Sequence, residues 1–104
     1  MSSVPDMPVS ETLVATSKPS AYLKQLCRHF GHRLEVSFDD DTGRIAFPDG
    51  LVELERTDDG LLLRARAQSD EELVRIEGVV GSHLARFGRR DELQVAWDTS
   101  GSET

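Results

Sequence analysis

"RLEVSFDDDTGRIAFPDGLVELERTDDGLLLRARA" (residues 33–67) is the stretch whose reading decides the fold. Its clusters "DDDTG", "PDG" and "TDDG" cut it into short runs in which apolar residues tend to alternate with polar ones. Alternation at period two buries one face of a strand, and Asp/Gly clusters supply the tight turns between antiparallel strands. The stretch therefore predicts a meander of about four strands, "RLEVSF", "RIAFPDG", "LVELER" and "LLLRARA".

Outward from the meander the period changes. Upstream, "SKPSAYLKQLCRHFG" (17–31) has a Ser/Pro start, helical apolar spacing and a glycine stop, with Tyr22, Leu23, Leu26, Cys27 and Phe30 on one side. Downstream, "SDEELVRIEGVVGSHLARFG" (69–88) offers Ser69 or Asp70 as N-cap, acidic residues in its first turn and arginines in its last. Leu73, Ile76, Val80, Leu84 and Phe87 form its expected buried stripe. "TLVATS" (12–17) and "ELQVAW" (92–97) read as an opening and a closing strand. The order β-α-β-β-β-β-α-β predicts an α+β domain of two layers, an antiparallel sheet of about six strands with two helices on one face.

A chain of 104 residues suits one core, here residues 11–98, with residues 1–10 as a flexible leader and 99–104 as a flexible tail. A net charge of −7 opposes approach to nucleic acid or an anionic membrane. One cysteine forms no internal disulfide, no apolar run is long enough to span a bilayer, and "MSSVPDMPVS" lacks signal-peptide character, so the cytoplasm is the expected compartment.

"LCRHFGHRLEV" (26–36) gathers the only cysteine and two of three histidines, which raises the question of a metal. An internal match bears on it. "RHFGHRLEV" (28–36) parallels "ARFGRRDELQV" (85–95): a helix ending in Phe-Gly, a basic residue, Arg, then a strand-like run from Leu. Aligned on Phe30 and Phe87, Cys27 takes the place of Leu84, so the thiol reads as a small core hydrophobe. Cys27 and His29 also lie about 200° apart around a helix, and zinc needs three or four protein ligands, so no metal or other cofactor is expected.

The match predicts two helix C-termini brought to one end of the sheet. Arg28, Arg33, Arg86, Arg89 and Arg90 would then form a basic patch, able to fork onto a carboxylate or phosphate. His29, His32 and His83 sit beside it, and the ligand-binding candidates are His29, His32, Arg33, His83, Arg86, Arg89 and Arg90. His83, at the border of its helix's apolar stripe, is also a candidate general base. No catalytic residue is assigned. The runs 39–43 and 58–60 read as turns rather than calcium loops, and there is no phosphate loop, nucleophile-elbow serine or zinc-protease helix.

The pieces "YLKQLCRHFGH", "GRIAFPDG" and "HLARFGRRDEL" resemble the small bacterial family called domain of unknown function 2218, over roughly residues 14–97. The chain departs at Gly88 and Arg89, where the resemblance implies an aromatic or alanine. The resemblance implies a TATA-binding-protein-like α+β arrangement, with no inference about DNA. It also implies the company of siderophore-interacting, flavin-dependent ferric reductases, and so a place in iron handling. The expected function is a non-catalytic binding or accessory domain that captures an anionic small molecule or docks on such a reductase. A small enzyme using His83 and a homodimer are the alternatives. The cue for the homodimer is the shared polar period of Glu53, Glu55, Arg64 and Arg66.

Overall fold

A computed structural model describes residues 7–99. The elements in order are β1 (Val9–Ala15), α1 (Pro19–Phe30), β2 (Glu35–Phe38), β3 (Thr42–Phe47), β4 (Gly50–Thr57), β5 (Gly60–Ala67), α2 (Asp70–Phe87), a short 3-10 turn (Arg89–Asp91) and a two-residue β6 (Asp98–Thr99). The sheet is antiparallel throughout, in the order β2-β3-β4-β5-β1, with β6 added outside β1. This is the α+β layering expected, with five full strands where about six were read. β1 begins at Val9, inside the stretch read as leader, while residues 1–6 and 100–104 lie outside the described residues.

Turn chemistry sets the meander. Asp39 Oδ1 accepts from the backbone N–H groups of Asp41 and Thr42, both at 2.8 Å, which closes the β2–β3 turn. Thr57 Oγ1 accepts from the N–H groups of Asp59 and Gly60, both at 3.1 Å, at the β4–β5 turn. Gly60 has φ 151°, and a Cβ there would stand 2.2 Å from the Val14 carbonyl oxygen, so only glycine fits. In the first cluster Asp39 is thus taken up by backbone donors, while Asp40 and Asp41 pair with Lys24 and Arg56.

Alternation then sorts the faces. Val14, Ile45, Val52, Leu54, Leu61, Leu63, Ala65 and Ala67 point to the helix side and are buried. Tyr22, Leu23, Leu26, Cys27 and Phe30 of α1 meet them, as do Leu73, Ile76, Val80 and Leu84 of α2. Each fully buried leucine contributes roughly 1.5–3 kcal/mol, so this single layer of contact carries the fold. α2 starts as its sequence dictates, with Ser69 Oγ accepting from the Glu72 N–H at 3.2 Å behind three acidic residues.

The expected closing strand over 92–97 does not form. Glu92 turns left-handed at φ 54°, and residues 93–97 run irregularly along α2 instead of entering the sheet. The reason lies on the helix. Gly81 leaves space for Val95 and Trp97, and Gly88 leaves space for Leu93, whose Cγ would be 2.4 Å from a Cβ added there. The apolar residues of the segment bury against α2, and only Asp98 and Thr99 reach the edge of β1.

Candidate functional site

α1 and α2 cross antiparallel on the sheet. His83 of α2 lies against His29 and Phe30 near the end of α1, whereas Asp91, just past α2, accepts a hydrogen bond from the Tyr22 hydroxyl near the start of α1. The chain just beyond α2 therefore lies beside the beginning of α1, while Phe87, the last residue of α2, still reaches His29. The expectation that all five arginines share one rim is corrected here, because antiparallel helices send their C-termini in opposite directions. The candidate residues divide into two stations along the seam between the helices.

The first station is a hollow of about 350 Å³ lined by His29, Phe30, His32, Arg33, Leu34 and His83. All three histidines of the chain meet here. The His29 and His83 rings lie 4.6 Å apart between centroids, tilted by 41°, and Phe30 meets both edge-on at 5.1 and 5.3 Å. His83 Nδ1 is 2.7 Å from the Val79 carbonyl oxygen. A carbonyl only accepts, so Nδ1 carries the hydrogen and Nε2 of the neutral ring is left as an acceptor. Partial burial first, then repulsion from His83, His32 and Arg86, lowers the His29 pKa from the ordinary imidazole value.

The second station is a groove of about 530 Å³ lined by Lys18, Tyr22, Arg86, Phe87, Arg89, Arg90 and Asp91. Asp91 is engaged inward: it accepts from Tyr22, and Lys18 Nζ stands 3.6 Å away. These contacts hold its carboxyl below the usual range, Tyr22 foremost, and the same hydrogen bond raises the Tyr22 pKa. Arg86, Arg89 and Arg90 take part in no ion pair among the described residues. Phe87 joins the stations, with its ring 5.5 Å from His29 and 6.2 Å from His83.

Arg28 belongs to neither station; its guanidinium carbon sits 5.9 Å over the Phe38 ring. Cys27 is fully buried under β3, where a Cβ added to Gly43 would fall 2.9 Å from its sulfur. Burial pushes its thiol up to about 11. Among the described residues no group of three or more His, Cys, Asp or Glu is placed to hold a metal ion. Nor is any helix among them long and apolar enough to cross a membrane. Sequence reasoning missed Lys18, Tyr22 and Asp91; the Tyr22–Asp91 bond joins residues 69 apart, and no local pattern signals it.

The fold is similar to that of PA4090 from Pseudomonas aeruginosa, solved by NMR. The two share 28% identity at a TM-score of 0.70, over 88% of this chain and 95% of the other. No curated protein matches the chain. The family model described as "Uncharacterized protein conserved in bacteria (DUF2218)" matches residues 11–98, the whole span from the middle of β1 to the start of β6, and the chain belongs to that bacterial family.

Proposed function

We propose that this is a non-catalytic, cytoplasmic binding domain that captures an anionic small molecule along the α1–α2 seam. The observation that carries the reading is the second station: three arginines without carboxylate partners among the described residues, joined by Lys18, in a chain of net charge −7. Such a groove attracts carboxylate or phosphate oxygens through bidentate forks, while the remaining acidic surface repels bulk polyanions. The neighbouring hollow, walled by His29, Phe30 and His83, is apolar enough to seat the uncharged body of the same ligand. A free buried cysteine fits a reducing compartment.

The company implied by the family resemblance makes an anionic ferric siderophore the ligand class to test first, with a siderophore-interacting reductase as the docking partner. Calorimetric titration with ferric catecholates, ferric citrate and the reductase is the experiment. Saturable binding is expected, weakened at least about tenfold by Arg90→Glu or Arg89→Glu and less by Arg33→Glu. No binding to any of the three, together with no effect of these charge reversals, overturns the reading.

One observation favours a second reading, a small enzyme with His83 as general base: the Nδ1 bond to Val79 fixes the tautomer of the neutral ring so that Nε2 is its acceptor, on a side chain that lines a hollow. Hydrolysis of an activated aryl ester that follows imidazole titration and disappears in His83→Gln is its expected sign. Equal hydrolysis by His83→Gln removes it.

A further inference from the structure

The sheet face away from the helices bears three rows of side chains that run across the strands. The strand register makes the middle row Ser37, Arg44, Glu53, Arg64, Glu11 and Asp98, from β2 to β6. On one side of it lie Thr42, Glu55, Leu62 and Leu13, and on the other Glu35, Ala46, Leu51, Arg66 and Val9. The four central charges of the middle row alternate in sign from β3 to β1: Arg44, Glu53, Arg64, Glu11. Neighbours within the row attract, as the 2.6 Å contact of Arg64 Nε with Glu11 Oε2 shows.

An alternating row with an even number of charges has a further property: turned end for end, every sign inverts. A two-fold axis parallel to the strands, passing between β4 and β5, lays one copy of the face on another in this sense. Glu53 then meets the partner's Arg64, and Arg44 meets the partner's Glu11, each contact made twice. An axis along β4 itself would set Glu53 on its own copy, and an axis between β5 and β1 would set Glu53 on the partner's Asp98. The axis between β4 and β5 is therefore the centred arrangement without like charges in contact.

Shape agrees with charge. The face is hollowed from its β2 end as far as β5, where a concavity of about 530 Å³ is lined by residues that include Phe38, Thr42, Glu53, Glu55, Leu62 and Arg64. At the opposite end Leu13 of β1 stands 48% exposed. The same axis carries Leu13 over the partner's Thr42, so the leucine enters the partner's hollow and the partner's leucine enters this one. In the third row Leu51 lies on the aliphatic stem of the partner's Arg66, and Ala46 on the partner's Val9.

We propose that this open sheet face binds a second copy of the chain, as an isologous two-fold dimer held by the Arg44–Glu53–Arg64–Glu11 row and by reciprocal insertion of Leu13. Strand spacing and rise give the face roughly 20 Å on each side, small for an obligate interface, so association is expected to be concentration-dependent. It engages the sheet layer opposite the α1–α2 seam and is independent of ligand capture there.

Sedimentation of the full chain from micromolar to several hundred micromolar tests it. The expected result is a monomer–dimer equilibrium that weakens with added salt. Glu53→Arg is expected to weaken it by at least about tenfold, as is Leu13→Asp. The fourfold inversion Arg44→Glu, Glu53→Arg, Arg64→Glu, Glu11→Arg restores the alternation and the dimer, with circular dichroism verifying the fold of each variant. A monomer at every concentration, or a dimer indifferent both to Leu13→Asp and to Glu53→Arg, overturns the proposal.

Discussion

The two helix ends make the informative comparison, because nearly the same residues lead to different structures. After Phe30-Gly31 the chain closes one turn, with Leu34 N–H on the Phe30 carbonyl, and enters the sheet as β2. After Phe87-Gly88 it forms a 3-10 turn, reverses at Glu92 and lies along its own helix. The second unit has two more residues than the first, Asp91 and Glu92. Asp91 is held by Tyr22 and Lys18 across the seam, and Glu92 takes the left-handed turn that sends Leu93 back onto Gly88. A strand after α1 finds the β3 edge waiting, supplied by its own hairpin. The segment after α2 finds a helix with room for its apolar residues at Gly81 and Gly88, and takes that. An apolar alternation thus states which residues want burial, not which surface buries them.

The largest test of this comparison lies in the paired core positions. Leu84 and Cys27 correspond in the two helices, and both are fully buried. Leu84→Ala should lower unfolding free energy by ~2–5 kcal/mol in urea titration, and Cys27→Ala by distinctly less, because it removes far less volume. Equal losses would mean the two sites are packed alike. Restoring the sister residue should fail: Cys27→Leu has no space beneath Gly43, and overpacking there is expected to cost ~1–3 kcal/mol. A stabilised Cys27→Leu protein would show that the thiol is no tighter fit than a leucine.

The helix stops themselves come next. Gly88→Ala drives a Cβ to within 2.2 Å of Leu93, whereas Gly31→Ala meets its neighbours at 3.0 Å. Gly88→Ala should therefore be the more destabilising and should expose Trp97, seen as a red shift in its fluorescence; Gly31→Ala should leave that emission unchanged. At neutral pH the buried Cys27 thiol, raised to about 11, should react with a disulfide reagent only on unfolding. Rapid reaction in the native protein would contradict its burial.

The smallest effect is electrostatic. His29 has its pKa lowered in the folded state, so the unfolded chain binds more protons between that lowered value and the ordinary imidazole value of about 6.5. Stability from the neutral His29 is complete above the ordinary value and is lost as pH falls through it toward the lowered one. Melting temperatures across that window should fall on acidification, with a shallower slope in His29→Gln. An unchanged slope would place the pH dependence elsewhere.

Much of this was legible. The buried side of α1 was read residue for residue, Ser69 was among the two caps named for α2, and the Asp clusters were read as turns, because each rests on chemistry within a few positions. Cys27 was assigned to the core by its match with Leu84, and it lies there. The site fared differently. The repeat makes one patch of the seven candidate residues, whereas the structure lines one hollow with His29, His32, Arg33 and His83 and an adjoining one with Arg86, Arg89 and Arg90, the two meeting at Phe87.

That separation marks the division between the two sources of information. Composition, period and turn residues determined which segments become strands and helices, which sides they bury and that the layers are α+β, since those preferences act over one or two turns of chain. Only the tertiary structure decided that α1 and α2 run antiparallel, that Tyr22 meets Asp91, that three histidines share one hollow, and that the last apolar run leaves the sheet for a helix. Those outcomes depend on which of several apolar surfaces is nearest once the chain has collapsed. Residues 69 apart in sequence carry no local mark of being neighbours.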